Sequence, residues 1–155
     1  MRLRHTLVLL CAGLLTACGT ISPQSKAPAG FASYEGHDRL QAVNAERVVY
    51  QVRNIENKPQ ADQAFWQTAL KERLLKAGYV FVSEGPIEAG ARKGYFIETT
   101  APRGAADYMY LVAIFVQDRQ ITVAESAGEL AAYKAQRDRI FAALRSDGLG
   151  VTAGQ

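Results

Sequence analysis

Cysteine and histidine are scarce in this sequence, and that excludes several kinds of site. The 155 residues include two cysteines, Cys11 and Cys18, both near the N-terminus, so the rest of the chain has no disulfide and no cysteine metal ligand. The only histidine outside the N-terminal segment is His37, which lies close to Ser33 and Glu35. A catalytic triad needs side chains that converge from separate elements, so we interpret His37 as a solvated residue. The sequence predicts no catalytic residue, no cofactor and no metal.

The chain also lacks a basic cluster and a long hydrophobic run. It has 18 Lys and Arg residues against 15 Asp and Glu, and even Arg137 and Arg139 flank an acidic residue, Asp138. This pattern excludes a nucleic-acid partner. The first apolar run, from Thr6 to Ala17, is 12 residues long, whereas a transmembrane helix needs about 20.

That N-terminal run has the features of a secretory signal peptide. Arg2 and Arg4 precede it, and a small-residue site ending in cysteine closes it. This site, Leu15-Thr16-Ala17-Cys18, resembles at every position the lipobox of bacterial lipoproteins, Leu-(Ser/Thr/Ala)-(Gly/Ala)-Cys. The resemblance implies cleavage after residue 17, a diacylglycerol on the Cys18 thiol and an acyl chain on its amine. Gly19 follows the cysteine in place of the aspartate typical of inner-membrane lipoproteins, which implies an outer-membrane location facing the periplasm.

Composition divides the remaining chain into a tether, one domain and a tail. We expect residues 1–17 to be the cleaved signal, 18–30 a lipidated N-terminus and flexible tether, 31–148 a single domain and 149–155 a flexible tail. Cleavage would remove Arg2 and Arg4, so 18 basic side chains become 16 against 15 acidic ones, a net charge of +1.

Hydrophobic patterning predicts five strands and two helices. The strands are at 47–53, 79–82, 95–100, 108–116 and 120–124. One helix spans about 61–77 and ends at Gly78, and a capping box at Ser126–Glu129 opens the other. The segment between Gly85 and Gly94 is predicted to be a loop without the Lys-Ser/Thr of a phosphate loop.

The element order is β-α-β-β-β-β-α, which predicts an α+β domain. Short links between successive strands favour about five mostly antiparallel strands, with both helices packed on one face of the sheet. This mixture of elements is similar to that of the PsbP-like α/β sandwich. Trp66 lies on the apolar stripe of the first helix and is predicted to belong to the core.

One strand is apolar throughout and points to a second covered surface. All nine residues of 108–116 are apolar, which is typical of a strand buried on both faces. If the helices cover one face, Tyr108, Tyr110 and Val112 lie on the other and form a candidate apolar binding face. Its cover is residues 31–45, a subunit partner or an apolar ligand.

These observations predict a location and, through the absence of catalytic residues, a class of role. We expect a lipid-anchored, non-enzymatic protein of the cell envelope that binds another envelope protein or supports an assembly. The alternative is a periplasmic module for a small apolar ligand or lipid. An envelope hydrolase is the third hypothesis, for which the sequence offers no catalytic residues.

Overall fold

The computed structural model describes residues 26–35, 39–103 and 106–149. The predictions for Cys18 and His37 therefore lie outside the described residues. Seven strands and two helices follow one another in the order β1 Ala32–Glu35, β2 Arg39–Val43, β3 Val49–Glu56, α1 Gln63–Lys76, β4 Val80–Ala89, β5 Arg92–Arg103, β6 Ala106–Val116, β7 Gln120–Glu129 and α2 Leu130–Leu144.

All seven strands form one antiparallel sheet in the order β1-β2-β3-β7-β6-β5-β4. Strands β1–β3 form one meander and β4–β7 a second, and the two join where β3 pairs with β7 from Val49↔Ala127 to Glu56↔Gln120. Because every pair is antiparallel, β3 and β4 run in the same direction with three strands between them. The chain must therefore cross one face of the sheet between β3 and β4, and α1 makes this crossing.

Strand β6 separates two hydrophobic clusters that lie on opposite faces of the sheet. Met109, Leu111 and Phe115 pack with residues of α2, whereas Val112 and Ile114 pack with Leu74 of α1. The sequence-based prediction that this strand is covered on both faces is confirmed. Its second cover is α1, whereas residues 32–35 form the edge strand β1 and residues 39–43 form β2 beside it.

The predicted architecture of five strands with both helices on one face is wrong. The domain is mostly β, with seven strands, and the helices lie on opposite faces. The rule that short links favour antiparallel pairing of successive strands does not specify on which face of the sheet a helix packs. Here the crossing from β3 to β4 places α1 on one face, and α2, which follows the last strand, packs on the other against β6 and β7.

Two local predictions also differ from the structure. Strand β4 continues through Gly85 and Pro86 to a tight turn at Gly90, where φ is +58°, so the predicted loop is a hairpin. Strand β7 continues through the predicted capping box. The Ser126 hydroxyl donates to the Val49 carbonyl of the neighbouring strand at 2.8 Å, so it does not cap a helix. Helix α2 begins after Glu129, whose side chain makes no capping bond.

The ends of α1 follow the sequence closely. The Asp62 carboxylate accepts from the Phe65 amide at 2.9 Å, which satisfies one of the unpaired N–H groups of the first turn. Gly78 adopts φ +87°, and the Tyr79 amide donates back to the Leu74 carbonyl at 3.1 Å. The predicted left-handed glycine cap is confirmed.

A glycine is required where β5 passes beneath a core ring. A Cβ at Gly94 would lie 2.5 Å from a Phe115 ring carbon and 2.6 Å from the Ile114 carbonyl oxygen.

The core also reaches the two ends of the described chain, since Ala27 packs against the cluster on the α2 face and Leu149 is 2% exposed within it.

Candidate functional site

A groove lies between α1 and the β3–β7 side of the sheet. Helix α1 contacts β5 and β6, so it covers only part of its face of the sheet. The remaining space beside it has a volume of about 360 Å³. Ligand sites for small molecules have volumes of about 300–1,000 Å³, so the groove is large enough for such a molecule.

The groove has a wall formed by α1 and a floor formed by the sheet, and both are mainly apolar. Four side chains of α1 form the helix wall: Trp66, Ala69, Leu70 and Leu74. Five side chains form the sheet floor: Ile55, Val112, Ile114, Ile121 and Val123. Leu74 is buried, whereas the helix residues Phe65 and Leu75 are about half exposed, so α1 is packed on the sheet along a narrow strip.

A polar cluster centred on Glu125 borders the apolar floor. Glu125 Oε2 accepts from Gln51 Nε2 at 2.6 Å and from the Arg53 guanidinium at 3.2 and 3.3 Å, and Oε1 accepts from the Tyr110 hydroxyl. The Glu125 side chain is 12% exposed and that of Arg53 is 42% exposed. The cluster therefore presents the arginine to solvent and keeps the carboxylate within.

The Tyr110 hydroxyl in this cluster is held in its neutral form. Burial raises the pKa of Tyr110, and its hydrogen bond to Glu125 and the charge of that carboxylate raise the pKa further. The hydroxyl therefore acts as a fixed donor. The ring also contacts Tyr79, with centroids 5.4 Å apart, which orients it against the sheet.

Helix α1 is fixed beside the groove by polar contacts at its N-terminal end. The buried Asn57 amide donates to the carbonyls of Ala61 at 2.9 Å and Gln117 at 3.0 Å, and its oxygen accepts from Trp66 Nε1 at 2.7 Å. Gln63 completes the anchor, because its side-chain amide oxygen accepts from the Val116 N–H at 3.1 Å. The Trp66 ring is thus held in one orientation at one end of the groove.

The other half of α1 is tied to the sheet more loosely. Lys71 Nζ lies 2.7 Å from Glu84 Oε1, and the Tyr95 hydroxyl donates to the other oxygen of this carboxylate. These hydrogen bonds, from Lys71 first and then Tyr95, hold the pKa of Glu84 below its ordinary value. The pair is exposed, so it contributes little to stability.

A second polar cluster, on the α2 face, contains the buried carboxylate Glu98. Arg137 binds it through two hydrogen bonds of 2.9 and 2.8 Å, Tyr133 donates at 2.8 Å and Ser83 at 2.6 Å. Burial alone would raise the pKa of Glu98, but the bonds from Arg137, Ser83 and Tyr133 together lower it below its ordinary value. All the acceptor positions face donors of the domain, so we interpret this cluster as structural.

The sheet is open beyond the groove, over β1–β3. The cross-strand register places Tyr34, Gln41 and Gln51 side by side on the α1 face. A shallow depression of about 540 Å³ lies there. Tyr34 is 72% exposed, and Val43 and Val49 are exposed beside it.

The structure brings together two of the three predicted face residues. Tyr110 and Val112 line the groove. Tyr108 lies on the same face of β6 and is half-buried outside the groove lining. Trp66 packs against the core cluster of the α1 face, as predicted, and it also borders the groove.

Sequence reasoning missed the Arg53–Glu125 pair. The alternation that places Val52 in the core also places Arg53 on the opposite face, and a carboxylate in a neighbouring strand is its natural partner. Identifying that carboxylate requires the pairing of β3 with β7, which the predicted strand order did not contain.

Two classes of feature are absent from the described part of the chain. Within residues 26–35, 39–103 and 106–149, no three His, Cys, Asp or Glu side chains come together as a metal site would require. No helix in the same ranges combines the length and apolar character of a membrane span.

Comparison with known proteins identifies the fold but no family. No family model matches the sequence, and no curated protein matches it. Solved structures with the same fold include the protein of unknown function PA94 from Pseudomonas aeruginosa, with a TM-score of 0.58, 10% identity and coverage of 74% of this chain and 94% of that one.

Two further solved structures share the fold. LpqN, described as involved in cell envelope biogenesis of Mycobacterium tuberculosis, has a TM-score of 0.54, 10% identity and coverage of 75% of this chain and 76% of its own. Cyanobacterial PsbP (CyanoP) from Synechocystis sp. PCC 6803 has a TM-score of 0.54, 7% identity and coverage of 77% and 82%. The likeness to the PsbP sandwich stated from the element order is thus confirmed at the level of fold.

Proposed function

We propose that this protein is a lipid-anchored, non-enzymatic binding protein of the bacterial cell envelope. The single observation that carries the binding role is the open groove beside α1, where an apolar floor meets the ordered polar cluster of Glu125. Such a combination is typical of small-ligand sites. The fold is shared with LpqN, a protein of cell envelope biogenesis, which supports the same cellular setting.

The proposed anchor is Cys18, the last residue of the lipobox-like site. A thiolate is the nucleophile that takes the diacylglycerol, so Cys18→Ser should abolish incorporation of labelled palmitate and leave an uncleaved precursor. Cys11→Ser is the matched control, because this cysteine lies within the proposed signal and should be dispensable. Normal labelling of Cys18→Ser would refute the anchor.

The proposed location is the outer membrane, with the domain facing the periplasm. It depends on Gly19, which stands where inner-membrane lipoproteins carry aspartate. Gly19→Asp should move the protein to the inner-membrane fraction of a density gradient. Recovery of the unaltered protein in the inner membrane would contradict the proposed location.

The binding role is tested by the occupancy of the groove. Native mass spectrometry of the protein extracted from its membrane should find a bound small molecule. Ala69→Phe, which fills the space between α1 and the floor, should release it. The control Ala135→Phe places the same ring at an exposed position of α2 and should retain the molecule. Retention of the molecule by both variants would place it elsewhere.

A second candidate function is the binding of an envelope protein through the open sheet. The exposed side chains of Tyr34, Val43 and Val49 favour it, since aromatic and apolar residues mark interface centres. Val49→Glu should then reduce cross-linking to a partner in intact membranes. Lys58→Glu, at an exposed position outside this surface, should not.

A further inference from the structure

The lining of the groove carries more positive than negative charge. Arg53 and Arg73 both line it, against one carboxylate, Glu125. Among the described residues Arg73 has no ion-pair partner, and its side chain is exposed at the end of the helix wall. The charged part of the lining, two guanidiniums and one carboxylate, therefore has a net charge of +1.

The carboxylate in the groove is already fully engaged. Glu125 Oε1 accepts from Tyr110, and Oε2 accepts from Gln51 and Arg53. A cationic ligand would have to displace these donors and leave partly buried groups unpaired, which is unfavourable. An anion would instead meet the unpaired Arg73, whose planar guanidinium suits a carboxylate or a phosphate.

The apolar part of the groove extends along the helix away from this charge. Trp66 and Arg73 are seven positions apart on α1, which corresponds to about 10 Å along the axis. Between them Leu70 and Ala69 line the helix wall, and Ile121 and Val123 belong to the floor of the same groove. The site is therefore an apolar slot with the exposed Arg73 guanidinium at the end of its helix wall.

We infer that the groove binds a single-chain amphipathic anion, with the acyl chain along α1 and the carboxylate at Arg73. The inference rests on the proposed function, because it names the ligand class of the same groove. Its occupant is a free fatty acid, which carries one chain and one negative charge.

The test uses the full-length protein in phosphatidylcholine vesicles and three photoreactive probes of equal chain length. These are a diazirine-bearing decanoate, the corresponding alcohol and the corresponding amine. After irradiation, mass spectrometry locates each adduct on the chain. We expect the decanoate to label peptides that contain Trp66 or Val123, and the alcohol and amine to label them several-fold less.

Variants then separate charge from shape. Arg73→Gln should lower the decanoate adduct about tenfold, as expected for the loss of one charge-assisted hydrogen bond, and should leave the alcohol adduct unchanged. Lys76→Gln is the matched control, because this lysine lies one turn further on the same helix outside the groove. Ala69→Phe should abolish groove labelling by every probe.

The outcomes distinguish this inference from the proposed function. If the alcohol labels the groove as well as the decanoate does and Arg73→Gln changes neither, the groove binds ligands but the anion assignment is overturned. Stronger labelling by the amine overturns it as well. If no probe labels the groove peptides, the small-ligand function itself fails together with the inference.

Discussion

Replacing Arg137 with methionine removes the cation that pairs with the buried Glu98 carboxylate. Methionine keeps much of the apolar stem, so the change isolates the charge and its two hydrogen bonds. Removal of one partner from a buried pair costs about 3–5 kcal/mol, because the remaining charge is left without compensation.

The expected magnitude follows from the exposure of the two partners. The Glu98 side chain is 3% exposed, but that of Arg137 is 41% exposed, so water can approach from the arginine side. We therefore expect a loss of about 3 kcal/mol, the lower end of the range. For a domain of this size the melting temperature should fall by about 10 °C.

The matched control is Arg145→Met. Arg137 and Arg145 both lie over the Phe141 ring, at 4.3 and 5.3 Å from its centroid, but Arg145 has no carboxylate partner among the described residues. Its replacement should change the free energy of unfolding by no more than about 0.5 kcal/mol. Because both variants lose an arginine over the Phe141 ring, the difference between their free energies of unfolding reports the Arg137–Glu98 pair.

The pH dependence of the melts gives an independent check. In the unaltered protein the pKa of Glu98 lies below its ordinary value, so its stabilising contribution is complete above the unfolded pKa and is lost as the pH falls through the folded one. Without Arg137, burial disfavours the charged carboxylate, and acid relieves this penalty. The difference in melting temperature, followed by circular dichroism, should therefore shrink between about pH 7 and pH 4. A difference that grows in acid, or a loss no larger than that of Arg145→Met, would refute this account.

Three further substitutions test the packing in thermal melts. Asn57→Ala should cost about 2–3 kcal/mol because it leaves several buried groups unpaired, and a change below about 0.5 kcal/mol would contradict the proposed anchor of α1. Met109→Asn and Val112→Asn probe opposite faces of β6. Val112→Asn should be the milder change because this side chain borders the groove, where water can reach the amide. Equal losses of melting temperature in the two variants would show that the groove is closed. Gly94→Ala should destabilise the domain strongly, since its Cβ would lie 2.5 Å from the Phe115 ring; an unchanged melt would mean that the ring moves aside freely.

Local signals in the sequence predict most of the central elements. The alternation around Tyr50, the helical stripe of Leu70 and Leu74, the cap at Gly78 and the apolar strand at 108–116 all appear in the structure. In each case the physical cause lies within a few residues. The two-sided burial of β6, which leads to the groove, is also evident from its composition alone.

The remaining features depend on distant partners. Ser126 matches a helix cap in sequence, yet its hydroxyl donates to the Val49 carbonyl, 77 positions away. Pro86 predicts a loop, but β4 is an edge strand, where a missing N–H can face outward. The pairing of β3 with β7 brings Arg53 to Glu125, so the polar half of the candidate site could not be predicted without the strand order.

The junction between β3 and β7 has a consequence for the order in which the domain assembles. Within each meander, strands pair with neighbours along the chain, whereas Val49 and Ser126 meet across 77 positions. Closing so long a loop is entropically slower than forming hairpins, so we expect the β4–β7 meander to fold first and β3 to dock last. Native-state hydrogen exchange should then show the β1–β2 amides opening in a step that leaves β6 protected. The strands that form the open part of the sheet, β1–β3, would thus belong to the part of the domain that detaches most readily.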